Sequence, residues 1–487
     1  MSELHGVETI ELTAGTMAVT TIKTAVIGLV GTAPDASFGT CARITVGTEL
    51  LDNLLSFEAD QPGRIGNQYK VIAVAAVPDN NMSEPIESSA DYHSGILTLT
   101  LGCDAEGVVT AKAYEVVALV AQLAHSKIRL LPTNGQGVVI PFSVELSGGE
   151  DEPYPLNTAV VMVGTNQLHR LGESGTLKQA LMDINDQRAA LTIVVRVEQD
   201  NDKSRQRAAI LNGMRVWSQS ASVTDLTPRV LIATGFSEDD AVGKELEAQA
   251  NKLRAVAYVD CASMVSAQEV VQRRQLYGAR VELLRPRVFV TDKNGENRYM
   301  PYSARAAGLR ARIDVEKGWW WSKSNQDIYN IIGVEQADEF ILGEPNCQAN
   351  LLNMENISTI IRRNGFKHWG NRLCTVDPQW RFESVRRSAD VIEDSIQETV
   401  LLYSDRPLDR DIAEDIIGTI NAYMRQLIGL KAIFGGEAWL DEELNTRESL
   451  AAGQLYINYD FGPKSPTERI TLRVRVNKDY AIEEMTS

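Results

Sequence analysis

The fold of this 487-residue chain is decided by LTIVVRVE at residues 191–198, RVLIATGF at 229–236 and RAVAYVDC at 254–261. Each run is short, rich in β-branched residues and almost free of polar alternation, which is typical of a strand buried on both faces. GTLKQALMDINDQRAA at 175–190 and EDDAVGKELEAQANKLR at 238–254 have instead the spacing of amphipathic helices. Strands that alternate with helices predict an α/β layer built on a mostly parallel sheet.

An α/β middle domain over residues 154–300 accounts for these elements, and one more strand precedes it. TIKTAVIGLVG at 21–31 is apolar, β-rich and bounded by glycine. This pattern predicts a buried first core strand within residues 21–36. Residues 1–20 hold only a short apolar alternation. So thin a segment cannot form a core alone, and we expect it to be an extended N-terminal arm.

Residues 37–153 differ in character and predict an inserted β-rich α+β domain. The strand-like runs are YKVIAVAAV, GILTLTL and GVVIPFSVEL, and EVVALVAQLAH has a helical pattern. The segment ends in SGGEDEPYP, which is typical of a flexible acidic joint. It holds 15 Asp and Glu against 6 Lys and Arg, so its charge of −9 is over half of the chain's −17. Repeated charge of one sign keeps an outer surface soluble, and we expect this domain at the surface.

Residues 301–465 predict a C-terminal domain whose first part, residues 301–375, is rich in loops and aromatic residues. The clearest helix of the chain follows at Leu408–Lys431, where apolar residues fall three or four apart on one stripe. Two strands with alternating apolar residues are predicted after it, LYINYDF at 455–461 and RITLRVRVN at 469–477. The whole chain is therefore predicted to be a multidomain protein that combines α/β and α+β parts.

The sequence lacks the motifs that carry common chemistries, so we predict no enzyme activity, no cofactor and no metal site. It has no GxxxxGK[ST] loop, no GxGxxG after a strand, no GxSxG and no HExxH. Five cysteines without a CxxC pair predict buried free thiols. The net charge of −17 argues against direct contact with nucleic acid. We find neither a membrane span nor a secretory signal, so we expect synthesis in a cytoplasm.

Three features leave alternatives open. The LGESGTLKQ stretch could hold an anion at a helix N-terminus, but a plain turn and cap is the simpler interpretation. Trp319–Trp321 could stack bases or sugars, and we favour a subunit interface with at least one indole packed inward. The Arg-Arg pairs at 362–363 and 386–387 are explained by solvated helix faces or subunit contacts.

Several stretches, taken in order, resemble the tail sheath family of contractile-tailed phages. They fall within residues 21–36 and 154–480, and they are TAVIGLVGTAPDA, PLNTAVVMVGT, LGESGTLKQALMDINDQ, TIVVRVE, MPYSARAAGLRARIDVEKGWWWSKSNQDIYNIIGVE, WGNRLCTVD, FESVRRSADVIEDSI, GGEAWLDEELN and INYDFGPKSPTERITLRVRV. Each motif alone is weak, whereas their order and spacing make the resemblance strong. The family pattern has Ser-Pro after the tryptophan run, and here Ser322 is followed by Lys323.

The resemblance implies a structural subunit without catalysis or cofactor. Family members stack as rings or a helix around an inner tail tube and contract on a baseplate signal, which drives the tube through the target envelope. The implied partners are other copies of the chain, the tube protein, and the baseplate and tail terminator proteins. The implied location is the virion tail, assembled in the cytoplasm of the bacterial host. The alternatives are a type VI secretion-like sheath, a bacteriocin-like particle, or an α/β enzyme with an unrecognised site.

The resemblance also implies how subunits are linked. In the family both terminal arms add strands to a sheet of neighbouring subunits, so we expect strand exchange by residues 7–12 and by residues 470–476, which lie in the C-terminal arm, residues 466–487. The apolar residues that carry this prediction are Val7, Ile10, Leu12, Ile470, Leu472, Val474 and Val476. The alternative is a terminal hairpin within one chain.

The C-terminal domain of the family faces the tube, which makes the helix Leu408–Lys431 a candidate for the tube contact. Its polar residues off the apolar stripe include Asp411, Asp415 and Arg425. The alternative is that this face meets only other sheath domains. The family-like core can also be followed directly from residues 31–36 to 153–158, so we expect the inserted domain to lie on the sheath exterior and to be dispensable for contraction.

Overall fold

The computed structural model describes residues 18–77, 84–291, 295–477, 479–480 and 484–485. The chain divides into two compact units. The larger unit comprises Met1–Ala33, Leu156–Leu168 and Ser174–Ser487, and the smaller unit comprises Pro34–Pro155 and His169–Glu173. Within the described residues, no helix combines the length and the apolar composition that crossing a bilayer requires.

The elements below are numbered in chain order. The strands are β1 Ile27–Thr32, β2 Arg43–Val46, β3 Leu55–Ala59, β4 Lys70–Ala75, β5 Ser89–His93, β6 Ile96–Leu101, β7 Ile128–Leu130, β8 Phe142–Glu145, β9 Ala159–Val163, β10 Leu191–Val197, β11 Val230–Ile232, β12 Val256–Asp260, β13 Val281–Leu284, β14 Val288–Thr291, β15 Asn297–Met300, β16 Gln326–Asp327, β17 Gly333–Val334, β18 Ile357–Arg362, β19 Phe366–Trp369, β20 Ile433–Leu440 and β21 Ile457–Pro463. The α-helices are α1 Ala113–Ala121, α2 Leu177–Gln187, α3 Lys203–Arg215, α4 Ser220–Thr224, α5 Asp240–Leu253, α6 Ala267–Arg274, α7 Ser303–Glu316, α8 Gln348–Met354, α9 Glu383–Val400, α10 Arg410–Gly429 and α11 Arg447–Ala451.

A nine-stranded sheet forms the centre of the larger unit, in the order β16-β19-β18-β13-β12-β11-β1-β10-β9. The six strands from β18 to β10 run parallel, and β9 and β19 pair antiparallel at the two sides. The predicted α/β layer with a mostly parallel sheet is therefore present, and the first core strand, β1, lies inside it. Val230, Val256 and Ile193 are buried there, as their unbroken apolar runs predict.

Close packing against β1 depends on two glycines. A Cβ at Gly28 would lie 2.9 Å from Leu231 Cδ2 and 3.1 Å from Trp217 Cε2. A Cβ at Gly31 would lie 2.5 Å from the hydroxyl oxygen of Thr176. These distances are shorter than ordinary carbon contacts, so the helices and neighbouring strand approach β1 only because both positions lack a side chain.

Residues 301–375 are rich in loops as predicted, but this region also contains α7, α8 and three strands of the central sheet, which the sequence did not indicate. Helix α7 is buried from Ser303 to Ile313 although it carries three arginines, Arg305, Arg310 and Arg312. Its charged residues hide the apolar stripe by which a buried helix is usually identified. The structure compensates for them with buried carboxylates, which are described below.

The C-terminal part adds α9, α10 and a two-stranded sheet of β20 and β21. The predicted long helix is α10, which begins where Asp409 accepts a hydrogen bond from the Ile412 backbone N–H (2.8 Å). The middle of its apolar stripe is buried, whereas the end residues Leu408 and Leu430 are exposed. One core holds α9, α10 and the two-stranded sheet together.

The smaller unit contains two sheets and one long helix around its own apolar core. The sheets have the orders β2-β3-β7 and β5-β6-β4-β8, and α1 is the helix predicted from EVVALVAQLAH. Glu58 lies buried in the first sheet and is flanked by ion pairs to Arg43 and Arg129. The segment thus has the β-rich α+β composition that its sequence predicts.

Candidate assembly interface

The two-stranded sheet has an open edge at β21. Strands β20 and β21 pair antiparallel with Leu440 opposite Ile457, and neither strand has another partner among the described strands. The outer edge of β20 is held by α10, because Asn421 donates to the Ala438 carbonyl (3.1 Å) and accepts from the Ala438 N–H (2.7 Å). An open strand edge presents unpaired N–H and C=O groups, which are a template for another strand.

The outer face of this sheet and its ends carry large apolar side chains. Phe434 is 74% exposed, and Trp439 is 44% exposed. Leu440 and Tyr456 are also exposed. Exposed apolar residues next to an open edge are typical of a surface that another chain covers.

The C-terminal arm lies close to this sheet in sequence but does not join it. Residues 464–477 have no regular secondary structure, and Ile470, Leu472, Val474 and Val476 are between 76% and 93% exposed. The expected strand at 469–477 is therefore absent from the single chain, because it has no partner to pair with. Within the described residues the arm forms no hairpin with β21 either, since residues 464–477 contain no strand. Val7, Ile10 and Leu12 lie outside the described residues.

The candidate tube-facing residues Asp411, Asp415 and Arg425 are all exposed on α10. The opposite face of α10 buries Ile416, Ile420, Tyr423 and Leu427. The helix therefore leaves a polar face free to contact another protein, and which protein it meets stays a prediction.

Ligands of open α/β sheets usually bind outside the carboxyl ends of the strands, where the strand order reverses. That point lies at β1, between β10 and β11, and the start of α2 fills it. The Thr176 N–H donates to the Thr32 carbonyl (2.9 Å), and the Thr176 hydroxyl accepts from the Thr32 N–H (3.1 Å). Leu177 is fully buried beside them. A turn in LGESGTLKQ thus precedes α2, but no side-chain hydrogen bond caps the helix at Thr176.

The carboxyl end of β12 is closed by the start of α7. Asp260 accepts hydrogen bonds from the backbone N–H groups of Tyr302 (2.9 Å) and Ser303 (2.7 Å). It also accepts from the hydroxyls of Ser303 (2.5 Å) and Ser237 (3.0 Å). Burial raises the pKa of Asp260, although these hydrogen bonds oppose the shift. The carboxylate thus serves as a helix cap inside the core, where no substrate can reach it.

A buried charge network continues from this point across the sheet. Lys323 forms ion pairs with Glu282 and with Glu383 (Nζ–Oε2 2.9 Å), and all three side chains are at most 1% exposed. The Tyr302 hydroxyl and His368 Nδ1 lie 2.8 Å apart, and His368 Nε2 lies 3.1 Å from Glu282 Oε1. Burial lowers the pKa of His368. Lys, Glu, His and Tyr in one cluster resemble catalytic groups, but their burial makes them structural.

Lys323 stands where the family pattern has proline, and the structure gives this departure a role. Burial alone would raise the pKa of Glu383, but Lys323, Arg310 and Arg387 outweigh it and hold that pKa well below its usual range. The Tyr258 hydroxyl also donates to Glu383 (2.5 Å). Lys323 therefore supplies a charge that the carboxylates of β13 and α9 require.

The inner face of α9 is charged, which corrects the interpretation of the Arg pair at 386–387 as a solvated face. Arg387 is buried and pairs with Asp314 of α7 (Nη2–Oδ2 2.5 Å). Asp390 accepts a bidentate pair from Arg280 (2.6 and 2.9 Å). In the sequence, Glu383, Arg387 and Asp390 recur at helical spacing. This spacing did not reveal a buried charged face, because an exposed helix face has the same pattern.

The three tryptophans divide between core and surface. Trp319 is buried in the core of α9 and α10, and its ring lies 5.1 Å from the ring of Trp320 in an edge-on arrangement. Trp321 is 49% exposed. One indole packs inward as expected, and the subunit contact of Trp321 stays a prediction. Over the described ranges, no group of three His, Cys, Asp or Glu side chains could hold a metal ion.

The chain matches two protein-family models, the phage tail sheath protein central domain over residues 216–372 and the phage tail sheath C-terminal domain over residues 375–477. It is 30% identical to the tail sheath protein of Burkholderia phage BcepMu over 98% of both chains. It is 32% identical to the tail sheath protein of Escherichia phage P2, over 74% of this chain and 98% of the P2 protein.

The fold is similar to a chain of the PVC sheath complex, an extracellular contractile injection system solved in its contracted state. The TM-score is 0.52 at 16% sequence identity, and the match covers 68% of this chain and 89% of the other. The curated relatives are phage proteins, which favours the phage sheath over the type VI-like alternative. The chain therefore belongs to the phage tail sheath protein family, and it is a structural subunit of a contractile tail sheath.

Proposed function

We propose that copies of this subunit polymerise around an inner tail tube and remain linked by exchanged strands while the sheath contracts and drives the tube through the target envelope. The proposal rests on one observation, that the same chain has both an open strand edge and a strand-like segment that lacks a partner. Strand β21 has an open edge, and residues 470–476 form an exposed strand pattern without a partner.

Strand addition explains both features at once. Main-chain hydrogen bonds to an open edge give the affinity, and alternate side chains set the register. Ile470, Leu472, Val474 and Val476 would place four apolar side chains on one face of the added strand. Since contraction moves neighbouring subunits relative to each other, a link made by main-chain pairing and a pliable linker can persist where rigid side-chain contacts would break.

We assign the open edge of β21 to the C-terminal arm of a neighbouring copy, and we expect the N-terminal residues Val7, Ile10 and Leu12 to add a further strand to the same assembly. Deleting residues 1–15 is expected to leave a folded, soluble protein that no longer polymerises. Contractile sheaths built by the truncated chain would contradict this assignment.

The remaining partners follow from the family. The tube protein meets the polar face of α10, and baseplate and tail terminator proteins meet the two ends of the polymer. A solved chain of similar fold comes from the baseplate of the anti-feeding prophage, with a TM-score of 0.52 at 15% identity. Assembly takes place in the cytoplasm of the bacterial host, and the product is part of the virion tail without direct nucleic-acid contact.

Two lysines on the apolar side of the arm test strand exchange. The variant Leu472→Lys with Val474→Lys keeps the length of the arm but removes its apolar face. We expect sedimentation and negative-stain microscopy to find soluble subunits in place of long hollow polymers. The matched control is Thr471→Lys with Asn477→Lys, which adds the same two charges on the polar side of the same strand and should polymerise normally. Equal polymerisation of both variants would disprove strand exchange by this arm.

A further inference from the structure

We propose that the ion pair between Arg372 and Glu468 is a latch that keeps the C-terminal arm off the sheet of its own subunit and presents it to a second copy of the chain. This inference rests on the proposed strand exchange and adds its regulation.

The pair has a well-defined geometry. Arg372 Nε donates to Glu468 Oε1 and Arg372 Nη2 donates to Glu468 Oε2, both at 2.7 Å. The third nitrogen of the guanidinium, Nη1, donates to the Asn353 carbonyl at the end of α8 (3.2 Å). The side chains are 19% and 28% exposed. A bidentate pair whose arginine is also held from behind defines both a position and a direction for the linker.

Without such a pair the arm has a competing partner close by. Strand β21 ends at Pro463, and only residues 464–469 separate it from Ile470. A connection of this length is long enough for a β-hairpin. Residues 470–476 could therefore fold back on the open edge of β21, which would satisfy the arm and the edge within one subunit. A subunit closed in this way has no strand to exchange.

The latch prevents this closure by its place in the linker. Glu468 lies two residues before Ile470. When Arg372 holds Glu468, only residues 464–467 remain to form the whole turn. Pro463 and Pro466 restrict the backbone at both ends of that stretch. Arg372 follows β19 of the central sheet, which is a different sheet from that of β20 and β21. The linker is thus tied to a surface from which a tight turn onto β21 is not available.

The open and closed arms are the two states of a domain-swapping equilibrium, and a hinge under constraint favours the exchanged form. A partly exposed ion pair of this geometry shifts such an equilibrium by only about two- to fivefold. Replacing Glu468 by arginine has a larger effect, because two like charges then face each other. Salt weakens the pair by screening, so the open fraction should fall as ionic strength rises.

The test compares Glu468→Arg with the matched control Asp479→Arg, which makes the same charge change in the same arm outside the pair. Two quantities are measured on the full chain, amide hydrogen exchange of residues 470–476 in dilute soluble subunits and the rate of polymerisation. We expect Glu468→Arg to slow the hydrogen exchange of residues 470–476 and the polymerisation by at least fivefold each. The control should have the same two rates as the unchanged chain.

Each other result is decisive. Glu468→Arg could show the same amide hydrogen exchange and the same polymerisation rate as the unchanged chain, while lysines at 472 and 474 still block polymerisation. In that case the latch is wrong and strand exchange stands. If polymerisation slows without protection of residues 470–476, Glu468 acts in a contact between subunits and the latch is also wrong. If the lysine variant polymerises normally, the proposed strand exchange itself fails.

Discussion

Glu383 is the residue on which the buried charge network converges. Its carboxylate accepts from Tyr258 and lies 2.9 Å from Lys323 Nζ and 3.6 Å from Arg310 Nη1. Two cations, each of which also has a second carboxylate partner, therefore share this carboxylate, which is 1% exposed. Removal of one member of a buried ion pair is costly because the remaining charge stays in a medium of low polarity.

We expect Glu383→Gln to lower the free energy of unfolding of the soluble subunit by about 3–5 kcal/mol. The control is Glu398→Gln, an exposed residue of the same helix, which should change it by less than about 0.5 kcal/mol. Denaturant unfolding followed by circular dichroism measures both. Equal stability of the two variants would show that the network is not a source of stability.

His368 predicts a pH dependence whose sign can be worked out. Burial lowers the pKa of its imidazole in the folded chain, so below the ordinary pKa of about 6.5 the unfolded chain binds a proton that the folded chain does not. This group therefore stabilises the fold fully above that pH, and its contribution is lost on acidification. The slope is at most about 1.4 kcal/mol per pH unit.

We expect His368→Gln to flatten the fall in unfolding free energy between about pH 6.5 and 5, and His93→Gln, which changes an exposed histidine, to leave it unaltered. Asp183 acts in the opposite direction, because burial raises its pKa to about 6. The comparison must therefore be made between variants at each pH. An unchanged slope in His368→Gln would contradict a neutral buried imidazole.

At the level of elements, the sequence predicted those whose periodicity is unbroken. Strands β1, β10, β11 and β12 lie where apolar β-branched runs placed them, because strands buried on both faces need no polar positions. Helix α7 was missed because its buried face pairs arginines with carboxylates of distant elements. Asp183, which lies 2.9 Å from Arg305, is more than 100 residues away in the sequence, and no local pattern predicts such a partner.

The arm at 464–477 failed as a strand for a different reason. Its apolar residues alternate as in a strand, but a strand exists only when another strand completes its hydrogen bonds. The candidate assembly interface was therefore predictable as a pattern, whereas its open partner, the β20–β21 edge, appears only in the structure.

The polar face of helix α10 leads to a prediction about assembly on the tube. Arg425 is exposed on α10 and lies off the buried stripe. We expect Arg425→Glu to fold with unchanged thermal stability but to assemble poorly on tubes, because it reverses a charge on the face assigned to the tube. The control is Arg447→Glu, an exposed residue of α11. Normal extended tails from Arg425→Glu, seen by electron microscopy, would remove this face from the tube contact.

At the scale of the whole molecule, the question is how a segment of 117 residues, 37–153, interrupts the core without distorting it. Within the larger unit, Arg196 of β10 is paired with Gly31 of β1 on one side and with Leu156 on the other. Neighbouring strands lie about 4.8 Å apart, so Gly31 and Leu156 are separated by about 10 Å. The chain thus leaves and re-enters the sheet across a single strand, which is the geometry that an insertion requires.

This spacing makes removal of the insert a direct test of its role. Joining Ala36 to Tyr154 through four Gly or Ser residues keeps enough chain to cross about 10 Å, since each residue spans about 3.4 Å. It also keeps Asp35, against which the backbone of Gly172 packs. The P2 protein matches over 98% of its length while covering 74% of this chain, so a family member can lack part of this chain.

We expect the shortened chain to fold, polymerise into hollow sheaths and contract, as judged by thermal unfolding and electron microscopy. The loss of nine net negative charges should lower its solubility, because charge on the outside of a polymer opposes association between polymers. The control is the full chain with the same linker inserted after Gly107, a turn in the smaller unit, which tests the linker without removing the domain. A shortened chain that aggregates while this control assembles would show that residues 37–153 belong to the folding core, and the domain boundary would then have to be redrawn.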